Sequence, residues 1–192
     1  MPQLLSVQIG IARRVKMGER TVLTAMGKQL VEGSVPVMPL GLMGDEQADL
    51  SIHGGLEKAV YAYPSEHYAV WRAARQSQGV GGFDDSLPPG LLGENLTLKG
   101  LLESQVWAGD VLQFANCALA VTLPREPCHK FNAAMGFSEA SRLMATQGLC
   151  GFYLSVREAG SISAGESFKL IPGRRSVSIP QLFNAKMSKH LR

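Results

Sequence analysis

The sequence predicts a mainly β fold of the β-rich α+β kind, with helices at its periphery. Three observations carry that prediction. Short apolar runs alternate with polar residues and stop at turn residues. The 192 residues include 21 glycines and 10 prolines without a fixed period, which favours tight turns over collagen or disorder. Only three stretches carry a helical repeat.

The first strand is predicted over Leu4–Ile11, a second over Thr21–Met26, and a third over Val35–Met38, where Pro36 argues for a sheet edge. Pro64-Ser65-Glu66 reads as a helix entrance with Ser65 as cap, and Tyr68 and Trp71 share a face of that helix. Gly79-Val80-Gly81-Gly82 ends it, and a surface loop with Pro88 and Pro89 runs to Gly90. Strands follow at Leu96–Leu98, Val111–Phe114 and Ala118–Leu123. A second helix spans Ser138–Gln147, capped by Ser138 and stopped by Gly148. Phe152–Val156 and Phe168–Ile171 close the strands, and Ile179, Leu182, Phe183, Met187 and Leu191 recur at helical spacing in a tail helix. Without repeats or linkers, the pattern fits one core, as a barrel or a sandwich.

Composition excludes several classes. A net charge of +3 without a dense basic stripe argues against a nucleic-acid partner and suits an anionic small molecule better. No apolar run approaches a membrane span. Three cysteines cannot all pair, and Met1–Leu5 lacks the features of a secretory start, so a reduced, cytoplasmic protein is expected. There is no Cys-x-x-Cys, helical His pair, Walker loop or dinucleotide fingerprint, so zinc, ATP and nicotinamide find no support.

Four segments are too polar and glycine-rich to be scaffold alone. Asp45, Glu46 and Asp49 could hold a divalent cation, though not at calcium-loop spacing; His53 before Gly54-Gly55 could meet a ligand, or be a loop histidine beside a turn. Glu94-Asn95 at a strand entrance could bind a heterocycle or tie down a turn. Arg13, Arg14 and Lys28 would matter as phosphate anchors only if the fold brought them near Cys128. The sharpest segment is Pro124–Asn132. Two prolines hold it stiff and extended, and Arg125, His129 and Lys130 surround Cys128 with charge that favours thiolate. Such a sulfur suits a nucleophile or a transition-metal ligand, whereas Cys117 and Cys150, in apolar settings, read as inert core.

On Gly41-Leu42 with Gly44-Asp45-Glu46-Gln47-Ala48, His53-Gly54-Gly55, Ala59–Tyr68, Gly93-Glu94-Asn95-Leu96 and Pro124-Arg125 with Pro127-Cys128 and Lys130, the chain resembles the MOSC family, and within it the bacterial YiiM-type branch. The resemblance covers about residues 5 to 172. It implies a MOSC-type β-barrel over residues 1–173 with a short helical tail over 174–192, where longer relatives carry several helices. It further implies a molybdenum cofactor (Mo-molybdopterin), with the metal-coordinating cysteine mapping onto Cys128 and His53 beside it as a catalytic candidate. His53, Glu94 and Asn95 become candidates for pterin or substrate contacts, and Lys28 and Arg125 for the cofactor phosphate; Asp45, Gln47, Gly54, Gly55 and Lys130 complete the expected cofactor site.

The activity implied is reduction of N-hydroxylated bases of the hydroxylaminopurine type to amines, with electrons from a separate reductase and a homodimer left open. Two other readings use the same thiolate: a sulfur carrier with a Cys128 persulfide, and a non-catalytic molybdopterin-binding module.

Overall fold

The computed structural model describes residues 1–17, 20–48, 54–82 and 85–190. The first strand, β1 (Gln3–Ile9), buries Leu4 and Val7 and leaves Leu5 exposed. A hairpin follows, β2 (Arg13–Met17) with β3 (Arg20–Thr24), and then the short β4 (Gln29–Leu30). β5 (Ser34–Met38) and β6 (Gly41–Leu42) lead to a 3₁₀ turn at Leu56–Lys58 and to β7 (Val60–Pro64). Helix α1 (Tyr68–Ser77) precedes β8 (Leu96–Lys99), β9 (Val111–Gln113) and β10 (Ala118–Pro124). Two short helices, α2 (His129–Met135) and α3 (Ala140–Gln147), precede β11 (Phe152–Glu158), β12 (Gly160–Ser163), β13 (Lys169–Ile171) and α4 (Ile179–His190).

Among the described residues the main sheet has eight strands in the order β13-β9-β10-β11-β7-β8-β1-β4, and β12-β5-β6 form a smaller sheet. The fold is β-rich α+β, as the sequence predicts. The strand ladder does not close into a barrel among the described residues. Its ends approach where Leu4 N–H donates to Glu166 O (2.8 Å) and Gly165 N–H to Leu4 O (2.7 Å), beside one isolated bridge from Gln3 to Ser167.

Sequence and structure part at several places, and the strands β2, β4, β6 and β12 are among the elements not predicted. β7 went unrecognised because every one of its residues is buried between β11 and β8, so it has no polar alternation to read. β5 lies inside its sheet, between β12 and β6, rather than at an edge. Pro36 is tolerated because its carbonyl, and with it the place of its missing N–H, faces Met43 N beyond the two-residue pairing with β6 (2.9 Å). The expected hydroxyl caps are absent: α1 starts through a 3₁₀ turn at Ser65–His67, and α3 begins after Glu139 with Asn132 Oδ1 accepting from Ser141 N–H (2.7 Å). Finally, the stiff loop predicted through Asn132 stops at Cys128, which is extended (φ −140°, ψ 162°), and α2 begins at the next residue.

Packing fixes the strand ends that matter. Trp71 of α1 meets Phe131 of α2 edge-on at 5.2 Å, and both are fully buried. β11 and β7 pair Tyr153 with Tyr61, so their rings lie 5.2 Å apart on one face. Ile179 and Phe183 anchor α4 in the core, and Lys186 of α4 pairs with Glu126.

Gly41 holds φ +126°, and a Cβ there would lie 2.4 Å from Ala59 O, immediately before β7. Gly41→Ala should therefore destabilise the fold by roughly 1–3 kcal/mol, from backbone strain plus steric overlap. Chemical denaturation reads this directly, and an unchanged midpoint would show that the Gly41–Ala59 contact constrains nothing.

Candidate functional site

A cleft of about 620 Å³, counting its open mouth, lies where six segments converge. Its walls are Thr24–Met26 and Lys28 from the end of β3 onward, Asp45–Ala48, Lys58, Ala59 and Tyr61 around the start of β7, Gly93 and Asn95, then Arg125, Cys128 and Lys130, and Tyr153 of β11. Of the residues singled out from sequence, Lys28, Asp45, Glu46, Gln47, Asn95, Arg125, Cys128 and Lys130 meet here. Gly54, Gly55 and Glu94 are not on the cleft surface, and His53 and Asp49 lie outside the described residues. Arg13 and Arg14 are exposed on β2 and do not line the cleft with Lys28.

Several polar side chains on these walls act as struts. Asn95 Oδ1 accepts from Tyr61 N–H (3.1 Å), and its amide donates to Gln8 O (3.1 Å), stitching β7 to β1. Gln47 accepts from Gly55 N–H (2.9 Å) and donates to Leu40 O (3.0 Å). Asp45 Oδ1 accepts from Gly10 N–H (2.8 Å) and pairs with the Lys28 ammonium, while Glu46 accepts from Ala12 N–H (2.8 Å). Two of the three carboxylates read as a possible cation site are thus committed to protein donors. Burial lowers the Lys28 pKa, against the opposing pull of Asp45.

Arg125 dominates the electrostatics. It is 4% exposed, and its guanidinium lies 5.1 Å from the Tyr61 ring centre and 4.9 Å from that of Phe131. One arm donates to Leu92 O and the other reaches Met26 Sδ at 3.8 Å. Among the described residues it forms no ion pair with a carboxylate. Burial opposes its charge, but interaction with Tyr61, Tyr153 and Cys128 holds its pKa above the usual arginine value. Tyr153 is shifted up by burial, against the pull of Arg125, with Cys128 adding to the rise. Cys128 is half-buried on the same wall. Cys117 and Cys150 are buried in hydrocarbon, as the sequence predicts, and burial pushes the Cys117 thiol up to about 11.

Glu94 sits behind the wall between Gly93 and Asn95, fully buried. Its Oε1 accepts from Tyr68 OH and from Gly90 N–H (2.8 Å), while Oε2 has no hydrogen-bond partner among the described residues. Sequence reasoning missed Tyr61, Tyr153 and Met26, which nothing marks as more than core until the strands are paired. Among the described residues no three His, Cys, Asp or Glu side chains gather to hold a metal ion, and no helix is long and apolar enough to cross a membrane.

Burial raises the Glu94 pKa above its ordinary 4.5, so the fold holds the carboxyl protonated more firmly than the unfolded chain does. Its contribution to stability is complete below 4.5 and is lost as pH rises through the folded pKa. Glu94→Gln keeps an oxygen for Tyr68 and Gly90 and cannot ionise. Its melting temperature should gain on the wild type progressively as pH rises above 4.5. Parallel melting curves at every pH would mean that Glu94 is not held neutral.

Residues 49–169 match the MOSC domain family model. The chain is 34% identical over 158 residues to Protein YiiM of Escherichia coli (strain K12), covering 82% of this chain and 68% of that protein. It is 31% identical over 169 residues to a protein of Gibberella moniliformis named "Reductase", covering 88% of this chain and 29% of that longer protein. The crystal structure of YiiM from Geobacillus stearothermophilus superposes with a TM-score of 0.76 at 26% identity, covering 100% of this chain and 87% of that one.

Proposed function

The chain belongs to the MOSC domain family, and from that premise we propose that it is an oxidoreductase which reduces N-hydroxylated bases to amines at a molybdenum cofactor held by Cys128. The observation that carries the reading is the buried Arg125 guanidinium, which has no carboxylate partner among the described residues, on the wall it shares with Cys128. A buried cation is costly unless an anion or a set of strong acceptors compensates it. The Cys128 thiolate, and an anionic metal group bound to it, would supply that compensation. The donor set is consistent: among the described residues no cluster of three protein ligands exists, and a dithiolene cofactor brings ligands of its own to the metal.

When bound, the cofactor supplies acceptance of the oxygen atom from the N–O bond. The net change, R–NH–OH plus two electrons and two protons giving R–NH₂ and water, requires a separate reductase as electron source. The protein's own part is to bind and orient. Lys28 uses one of its N–H groups on Asp45 and retains donors for a phosphate. Lys130, whose ammonium donates to Leu23 O (2.9 Å), brings a second cation to the cleft. Tyr61 and Tyr153 line the floor with aromatic surface suited to a planar heterocycle. The buried Cys117 and Cys150 thiols accord with a cytoplasmic setting.

Expression in a host that makes the cofactor provides the test. Purified protein should carry stoichiometric molybdenum and reduce a hydroxylaminopurine-type base with an artificial electron donor, and Cys128→Ser should lose both. Metal-free protein that releases sulfur to cyanide would favour a persulfide carrier instead, and metal without turnover a storage module. Full activity in Cys128→Ser would end the ligand assignment.

Arg125→Met gives a second check with opposite signs for two measurements. Replacing buried charged side chains by well-packed apolar ones of similar volume is often close to neutral for stability. The cofactor-free variant should therefore melt no lower than wild type, while its molybdenum content falls. Parallel losses of stability and metal would reduce Arg125 to a structural residue.

A further inference from the structure

Cys128 reaches the cleft only if its backbone is held, and its own carbonyl is held from two sides. Phe131 N–H donates to it within α2 (2.9 Å), and Ser141 Oγ donates to it from α3 (2.8 Å). Ser141 makes a second bond of another kind: its backbone N–H donates to Asn132 Oδ1 (2.7 Å). The two bonds divide the labour at the corner between α2 and α3. The backbone bond ties the start of α3 to α2. The hydroxyl bond, from outside α2, adds to that of Phe131 N–H in holding the peptide plane that follows Cys128 and hence its ψ, which is extended while the next residue is already helical. A residue at such a junction has a neighbouring well, the helical one, that would turn its side chain elsewhere.

We propose that Ser141 is a positioning residue for Cys128. Its hydroxyl holds the Cys128 carbonyl so that the sulfur stays on the cleft wall. The inference deepens the ligand reading above, but the hydrogen bond and its effect on the thiol do not depend on which group the sulfur binds.

Three variants separate this role from plain support of the fold. Ser141→Ala removes the hydroxyl and leaves the backbone bond to Asn132; Ser141→Thr restores a hydroxyl; Asn132→Ala breaks the backbone tie and leaves the hydroxyl. The readout is the alkylation rate of Cys128 by iodoacetamide at one fixed pH in cofactor-free protein, followed by peptide mass spectrometry and set beside the melting temperature. Ser141→Ala should change the Cys128 rate about fivefold, the weight of one ordinary hydrogen bond, with little change in melting. Ser141→Thr should return the rate toward wild type. Asn132→Ala should lower the melting temperature with a smaller change in the rate. A wild-type rate in Ser141→Ala, no recovery in Ser141→Thr, or the same rate change in Asn132→Ala would each overturn the proposal. Molybdenum content of the same variants from a cofactor-making host keeps the two readings apart. Altered alkylation without any metal in the wild type would leave Ser141 in its role and remove the metal.

Discussion

A guanidinium buried between two aromatic rings, with no carboxylate against it among the described residues, is the constraint to which the rest of the site is fitted. Arg125 can be there because three separate elements prepare its place. Tyr61 arrives on β7, Phe131 on α2, and the Leu92 carbonyl on the loop before β8. Ring faces and a carbonyl soften the loss of water, but none of them carries a full negative charge. The buried carboxyl of Glu94 feels the charge of Arg125, and still burial pushes its pKa up rather than down. The local balance thus favours any anion that comes to the wall beside Arg125, and the group placed there by the chain is the Cys128 sulfur.

That balance gives a reason for the bonds that brace the cleft. The main-chain stitches made by Asn95 and Gln47, and the Asp45 carboxylate shared by Gly10 and Lys28, hold the walls at fixed separation. A charge without a paired counter-ion is stabilised by dipoles only while those dipoles stay oriented. Loosening the struts would let the walls relax and water enter, and the electrostatic preference for an anion would fade with the rising dielectric.

How much of this could be read from the sequence depended on how local the cause was. Cys128 stood out because its prolines and basic neighbours are adjacent in the chain, and Cys117 and Cys150 were read as core from equally local surroundings. The strand pattern gave the β-rich class for the same reason. β7 escaped because a strand covered on both faces has no alternation, and α2 because two prolines and three basic residues masked a helix that starts directly after Cys128. The commitments of Asn95, Gln47 and Asp45 escaped because their partners lie far away in sequence and are set by strand pairing. Ser141 was invisible on the same ground: it sits in a helix recognised correctly, and its meaning lies in which carbonyl it meets.

The same distinction reorders the candidates for the cofactor's phosphate. Sequence treats Lys28 and Arg125 as equals, since both are basic residues in or near matching motifs. In the fold Arg125 has aromatic rings on two sides and its arms turned to Leu92 O and Met26 Sδ, so its planar fork is not presented to the cleft for bidentate work. Lys28 is a point charge with three rotatable donors, of which Asp45 engages one. Breaking the pair would strand a buried carboxylate, but sharing the ammonium between Asp45 and a phosphate leaves both satisfied. On the proposed reading, Lys28 would be the residue to hold an anion directly, while Arg125 would set the field in which the sulfur works.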